Sequence, residues 1–346
     1  MTRQRDPQTR LSQLREVLSG ARTLLIVMQD NPDPDALAAA AALRALANHL
    51  YGIRCSLAAS GWVGRAENVA LLEYIDLNIR PLAGLELDRF DRLAMVDAQP
   101  GGNVALDASL RFDIVIDHHP VRNESRAARL TDIRKHYGAT SSILYEYLAC
   151  EGVEISTQLA TALVYGIRSD TQDLGREASK ADIDAYLALF PRANIRALAG
   201  IIRPPLPRPF FVELHRAFED SMLYGDRVIS NLGEVRSQEI VAESADLFLR
   251  AEGVQWVMCL GRVGDWIHLS FRQCADSPKA EEIAKEVAKG LGKAGGHQTL
   301  AGAQIPLEAS VEKNDDCRRS IFDELKKRFL KATGSSKMKG EPFCRQ

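Results

Sequence analysis

The sequence predicts an α/β protein, with an N-terminal, mostly parallel sheet flanked by helices and a smaller C-terminal α/β domain. Three observations carry that expectation. Short apolar runs alternate with helical patterns up to about residue 190, as strands joined by crossover helices do. Residues 202–209, IRPPLPRP, hold four prolines in eight positions, which stiffens the chain toward an extended form and excludes a regular helix. Beyond them the alternation resumes, and 346 residues are too many for one ordinary core. The expected divisions are a first domain over 1–200, a linker and connecting helix over 201–222, a second domain over 223–334 and a flexible polar tail over 335–346.

In chain order, the apolar run 23–28 (TLLIVM) reads as a strand, and a helix follows from Asp35. Its alanines 38–42 let that helix pack closely on a sheet. Residues 54–60 (RCSLAAS), 92–97 (RLAMVD) and 113–117 (DIVID) continue the sheet, and 159–167 (LATALVYGI) is an apolar, helix-like run. After the prolines come a helix over 211–222, a strand over 227–235, a helix over 237–252, strands over 255–261 and 266–272, and a helix over 278–289.

Hydrophobic residues at 46% and charged residues at 26% are the mixture of a soluble globular protein. Forty-four basic against forty-six acidic side chains leave a net charge of -2, which argues against a basic platform for long duplex DNA and leaves room for a small anionic substrate. The apolar stretch 36–43 is far short of the ~20 residues that span a bilayer. The opening MTRQRDPQTR lacks the apolar core of a secretory signal, so no membrane partner and a cytoplasmic location are expected. Six cysteines, Cys55, Cys150, Cys259, Cys274, Cys317 and Cys344, form no C-x-x-C pair and read as reduced structural thiols.

Four acidic clusters share one context, each at or just beyond the carboxyl end of an apolar run, and in open parallel sheets those ends face one crevice. The first is QDNPDPDA (29–36), where two prolines hold Asp33 and Asp35 at a helix start. Helix capping needs one carboxylate, and here two stand at i and i+2. Asp97 follows the second run, where a turn aspartate is the plain alternative. Asp117-His118-His119 follows the third, offering imidazole nitrogens and a carboxylate to orient them. Asp170 lies beyond the fourth, in GIRSDTQD (166–173). Asp33, Asp35, Asp97, His118 and Asp170 together supply five candidate metal ligands. So many acids in one crevice repel unless cations neutralise them, and a pair of divalent ions is the economical answer. Imidazole among oxygen ligands favours manganese over magnesium, and phosphoester hydrolysis is the natural chemistry.

These residues resemble the DHH phosphoesterases, named for the triplet seen here as Asp117-His118-His119. NPDPDA, Asp97, DHHP and GIRSDT are similar to four motifs of that family in order, and KAGGHQTLAG (293–302) is similar to the Gly-Gly-Gly-His signature of its associated C-terminal domain. The resemblance implies two lobes with Asp33 and Asp97 on one metal and Asp35, Asp97, His118 and Asp170 on the other, so that Asp97 bridges. It also implies that His119 contacts the scissile phosphate, that Asp117 orients the histidines, and that Arg272, Gly295, Gly296 and His297 bind substrate. Gln29 stands where the family commonly has histidine; it is carried as a further candidate ligand, and that metal site is expected to be weak, magnesium-tolerant or filled only with substrate. Two Mn2+ ions are expected, with Mg2+ or Co2+ as substitutes.

By size, two lobes without an added module, the chain resembles the members that degrade nanoRNA or dephosphorylate pAp. The partner expected is a short single-stranded oligonucleotide or a nucleotide, and the family makes a homodimer an expectation. The alternatives are an inorganic pyrophosphatase or polyphosphatase and a nucleotide-binding regulator weakened by Gln29. His49, His136, His215 and His268 read as surface or sheet residues, and Tyr137, Trp62 and Phe271 as packing residues.

Overall fold

The computed structural model describes residues 7–61, 63–102, 104, 106, 110–274, 278–296, 298–307 and 315–344, with the backbone alone at 315–320. The chain divides into two compact units, Met1–Pro205 and Leu206–Gln346. No helix among the described residues is long and apolar enough to cross a membrane.

The first unit runs α1 (Pro7–Leu18), β1 (Thr23–Val27), α2 (Pro34–Tyr51), β2 (Arg54–Ala59), α3 (Ala66–Tyr74), β3 (Ile79–Pro81), β4 (Arg92–Val96), β5 (Ile114–Asp117), β6 (Leu130–Ile133), α4 (Thr140–Glu151), α5 (Thr157–Asp170), α6 (Lys180–Leu189) and α7 (Ile195–Ile202). Its six strands are ordered β3-β2-β1-β4-β5-β6, and every pair is parallel. The order reverses between β1 and β4, so a crevice opens beyond the carboxyl ends of those two strands. Side chains alternate across the sheet: Leu24 and Ile26 pack with α2, while Leu25 and Val27 pack with Met95, Phe112 and Val115 on the other face. Asp33 caps α2, Pro34 occupies its first turn, and Gly52 ends it in the left-handed conformation. The five alanines 38–42 are all buried. They let α5 approach until its Gly166 faces Ala38 and the Asp35 backbone, with a virtual Cβ 3.2 Å from each.

The second unit holds α8 (Arg208–Glu219), β7 (Met222–Tyr224), β8 (Arg227–Glu234), α9 (Gln238–Leu249), β9 (Trp256–Val263), β10 (Trp266–Gln273), α10 (Ala280–Ala288), β11 (Lys293–Gly296), β12 (Leu300–Pro306), α11 (Asp315–Ala332) and β13 (Glu341–Pro342). The sheet order is β11-β12-β10-β9-β8-β7-β13, with β8 and β9 parallel and the other pairs antiparallel.

Two sequence expectations need correction here. The connecting helix belongs to the second unit, because α8 buries Ala217 and packs Phe210 and Phe218 into that unit's core. It also begins earlier, at Arg208, since Pro209 sits in the first turn, where its missing N–H costs nothing. The segment from 335 is docked through residue 344 rather than free. Its Glu341–Pro342 extends the sheet beside β7, Phe343 N–H donates to the Ser221 carbonyl, and the Phe343 ring meets Phe248 edge-on at 5.3 Å.

Candidate metal centre

The segment between β1 and α2 brings the first two acids. Asp33 accepts Ala36 N–H at 2.9 Å on Oδ1 and the Gln29 amide Nε2–H at 2.8 Å on Oδ2. Asp35, fully buried in the first turn of α2, accepts the backbone N–H groups of Thr140 at 2.6 Å and Ser141 at 2.8 Å. Those groups open α4 and have no partner within the helix, and the helix dipole favours the carboxylate there. Asp97 follows β4 with φ 53°, a left-handed conformation uncommon for a residue with a side chain and several-fold enriched in Asp. Its Oδ1 accepts the Thr140 hydroxyl at 2.9 Å.

His118 follows β5. Its Nδ1–H donates to the Tyr137 carbonyl at 3.1 Å, because a carbonyl can only accept. Nε2 then stands 3.3 Å from Asp170 Oδ2 and 3.5 Å from Asp97 Oδ1. Asp170 is the last residue of α5. One ligand atom each from Asp35, His118 and Asp170 fall within 4.8 Å of one another, as do one each from Asp97, Asp117, His118 and His119. Two of these atoms, Asp97 Oδ2 and His118 Nε2, are buried without a hydrogen-bond partner.

The electrostatics show a deficit of positive charge. Burial, then Asp35, Asp33, Asp170 and Asp117, push Asp97 well above the carboxylate range. Burial raises Asp35 despite His118. Burial and the Asp33 charge bring Asp170 to about 7. Burial pushes His118 down, but Asp170, Asp35 and Asp117 outweigh it and lift the imidazole to about 10. Burial also acts upward on Asp117, where the His119 hydrogen bond and charge, His118 and Gln99 win and hold it low. A cluster of buried acids whose proton affinity burial and mutual repulsion raise, with a carboxylate oxygen lacking a hydrogen bond and an imidazole nitrogen turned into it, fits a divalent cation of intermediate softness.

Of the residues expected here, Asp35, Asp97, His118 and Asp170 come together. Asp33 lies close enough for its charge to act on three of the acids, with both oxygens engaged by Ala36 and Gln29. Gln29 turns its amide nitrogen, a donor, toward Asp33. Asp117 Oδ1 accepts His118 N–H and His119 Nδ1–H, each at 2.8 Å. In the second unit, Arg272 is ion-paired with Asp246 and donates to Ser270 Oγ at 2.7 Å. Gly295 and Gly296 lie on β11 opposite Gly302 and Ala301, and His297 lies outside the described residues. Sequence reasoning missed Thr140, Ser141, Tyr137 and Gln99. The available signal was Gly-Ala-Thr-Ser at 138–141, small and hydroxyl residues opening an apolar helix.

Residues 23–167 match the model of the DHH family N-terminal domain, and residues 225–327 match that of the DHHA1 domain. The chain carries a DHH domain followed by a DHHA1 domain. It is 32% identical over 317 residues to an uncharacterised protein of Methanocaldococcus jannaschii, covering 90% of this chain and 64% of that protein. It is 26% identical over 331 residues to the cyclic-di-AMP phosphodiesterase GdpP of Geobacillus thermodenitrificans, covering 90% and 49%. The chain thus spans from about half to just under two thirds of the length of these curated relatives. Among solved structures, an exopolyphosphatase-related protein from Bacteroides fragilis superposes with a TM-score of 0.63 at 15% identity, covering 94% of this chain and 98% of that one. An exonuclease RecJ bound to manganese gives 0.51 at 14% identity, covering 94% of each chain. At such identities the likeness is one of fold, and it extends over both the DHH and DHHA1 domains.

Proposed function

We propose that the DHH domain hydrolyses phosphoesters with divalent cations, Mn2+ the preferred ion, one of which would be held by Asp35, Asp97, His118 and Asp170 and a second by Asp33 and Asp97. The substrates are short: oligonucleotides of a few residues, or nucleotides with an additional phosphate such as 3′-phosphoadenosine 5′-phosphate. The observation that carries the reading is the convergence of ligand atoms from Asp35, Asp97, His118 and Asp170, with Asp97 Oδ2 buried without a hydrogen bond and His118 Nε2 buried facing Asp170 and Asp97. When bound, such cations polarise a phosphoryl oxygen and lower the pKa of water enough to make a nucleophile near neutral pH.

The chain's own residues do the positioning. Thr140 fixes one oxygen of Asp97, and the α4 N-terminus fixes Asp35. The Tyr137 carbonyl fixes the His118 ring so that Nε2 faces the acids. His119, its side chain 30% exposed, is held by Asp117 where it can reach a phosphate and steady developing charge. A net charge of -2 supports short substrates, since each neutralised phosphate adds affinity on a long one. The relative GdpP, whose name gives it a cyclic dinucleotide as substrate, points the same way.

Purified protein with Mn2+ is expected to degrade dinucleotides and other very short RNAs faster than chains of about two dozen nucleotides, with Asp97→Ala inactive. Equal rates at all lengths overturn the size preference. Turnover confined to pyrophosphate or polyphosphate, or nucleotide binding without turnover, overturns the reading itself.

A further inference from the structure

Gln99 stands two residues beyond Asp97, in the turn after β4, and is only 3% exposed. Its Nε2 donates to Asp117 Oδ2 at 2.6 Å and to the Pro120 carbonyl at 3.0 Å. Its Oε1 accepts Arg122 N–H at 2.7 Å and the Ser125 hydroxyl at 2.9 Å. The orientation of the amide follows from these partners, because a carboxylate and a carbonyl only accept while a backbone N–H only donates. Asp117 in turn is held on both oxygens, Oδ2 by Gln99 and Oδ1 by His118 N–H and His119 Nδ1–H. The carboxylate is 1% exposed, so no bulk water replaces a lost donor. A chain of charge-assisted hydrogen bonds therefore runs from Gln99 through Asp117 to the His119 ring.

We propose that Gln99 is a positioning residue for phosphoester hydrolysis, fixing the plane of Asp117 and through it the Nδ1–H tautomer and aim of His119. This rests on the function proposed above. The four bonds of Gln99 split into two halves with separate duties. The accepting half ties down residues 122–125, and the donating half holds Asp117. Gln99→Glu keeps the side-chain length and an accepting oxygen for residues 122–125 while turning a carboxyl oxygen instead of an amide N–H toward Asp117, so it disturbs the hold on Asp117 with less change to the loop than truncation.

Steady-state kinetics on a short RNA with Mn2+ should show kcat of Gln99→Glu reduced about 10- to 100-fold, KM close to wild type and the same quantity of bound manganese. In a His119→Ala background the same substitution should cost no further activity, since the residue through which it acts is already gone. A second readout is independent of turnover: 15N-histidine NMR of the Mg2+-loaded protein should report the Nδ1–H tautomer for His119 in the wild type and its loss in Gln99→Glu. The two readings fail separately. A wild-type protein without turnover on any phosphoester removes the hydrolase assignment. An unchanged His119 signature in Gln99→Glu, or equal kcat losses in both backgrounds, overturns the role of Gln99.

Discussion

At the scale of single residues, the centre sets buried carboxylates against one another and against one imidazole. Asp35, Asp97 and Asp170 bind a proton more tightly folded than unfolded, Asp170 with a value near 7 against an ordinary 3.8. A raised carboxylate contributes stability at low pH that is lost as pH rises through its folded value. His118, lifted from 6.5 to about 10, acts in the same direction and loses its contribution as pH rises toward that value. Asp117, held low, opposes them only in acid. The metal-free protein is therefore expected to lose stability from about pH 4, where unfolded Asp170 begins to ionise, to about pH 10, where folded His118 loses its proton, whereas a bound divalent cation replaces the protons and removes that loss. Thermal unfolding with chelator and with Mn2+ across this range tests the sign: the gap between the two midpoints should widen as pH rises. Parallel curves would mean that the acids do not gather a cation.

At the scale of elements, the meeting of α2, α4 and α5 sets the ligand positions. Gly166 of α5 is a point of close approach, with a virtual Cβ 2.6 Å from Ser141 Oγ and 3.2 Å from Asp35 Cα. Gly166→Ala should cost about 1–3 kcal/mol in chemical denaturation through overpacking and weaken Mn2+ binding, because Asp35 and Asp170 ride on the two helices forced apart. A variant with unchanged stability and metal affinity would contradict this packing account. The long apolar strands were legible: the runs at 23–28, 92–97 and 113–117 fall within a residue of β1, β4 and β5, since strands buried on both faces read as continuous apolar segments. β6 escaped notice because its LTDI carries Asp132, a buried acid whose charge is met by Arg134 and the Tyr147 hydroxyl. α1 escaped because Leu11, Leu14, Val17 and Leu18 form a narrow apolar stripe in an otherwise polar segment. Asp35, Asp97, His118 and Asp170 were readable because each ends an apolar run. Thr140 and Ser141 were not, since what they offer Asp35 is backbone N–H across more than a hundred residues, which no side-chain pattern records.

At the scale of the whole molecule, two units have separate cores: the first carries the acids at the strand ends and helix termini around its parallel sheet, and the second has a glycine-bearing hairpin at the edge of its own sheet. Gly296 cannot carry a side chain, because its Cβ would fall 2.4 Å from Ala301 Cα, whereas Gly295 has open space around it. Gly296→Ala is expected to disrupt the β11–β12 pairing and lower stability. Gly295→Ala should fold as the wild type and raise KM for short substrates, if an anionic group approaches the backbone there; an unchanged KM would take substrate capture away from this hairpin. The central claim is that Asp35, Asp97, His118 and Asp170 converge to hold divalent cations, and anomalous scattering from crystals grown with Mn2+ tests it most directly. Peaks within about 2.0–2.4 Å of Asp97 Oδ2 and His118 Nε2 are predicted. A fully ordered centre with no anomalous density among those four residues would contradict it.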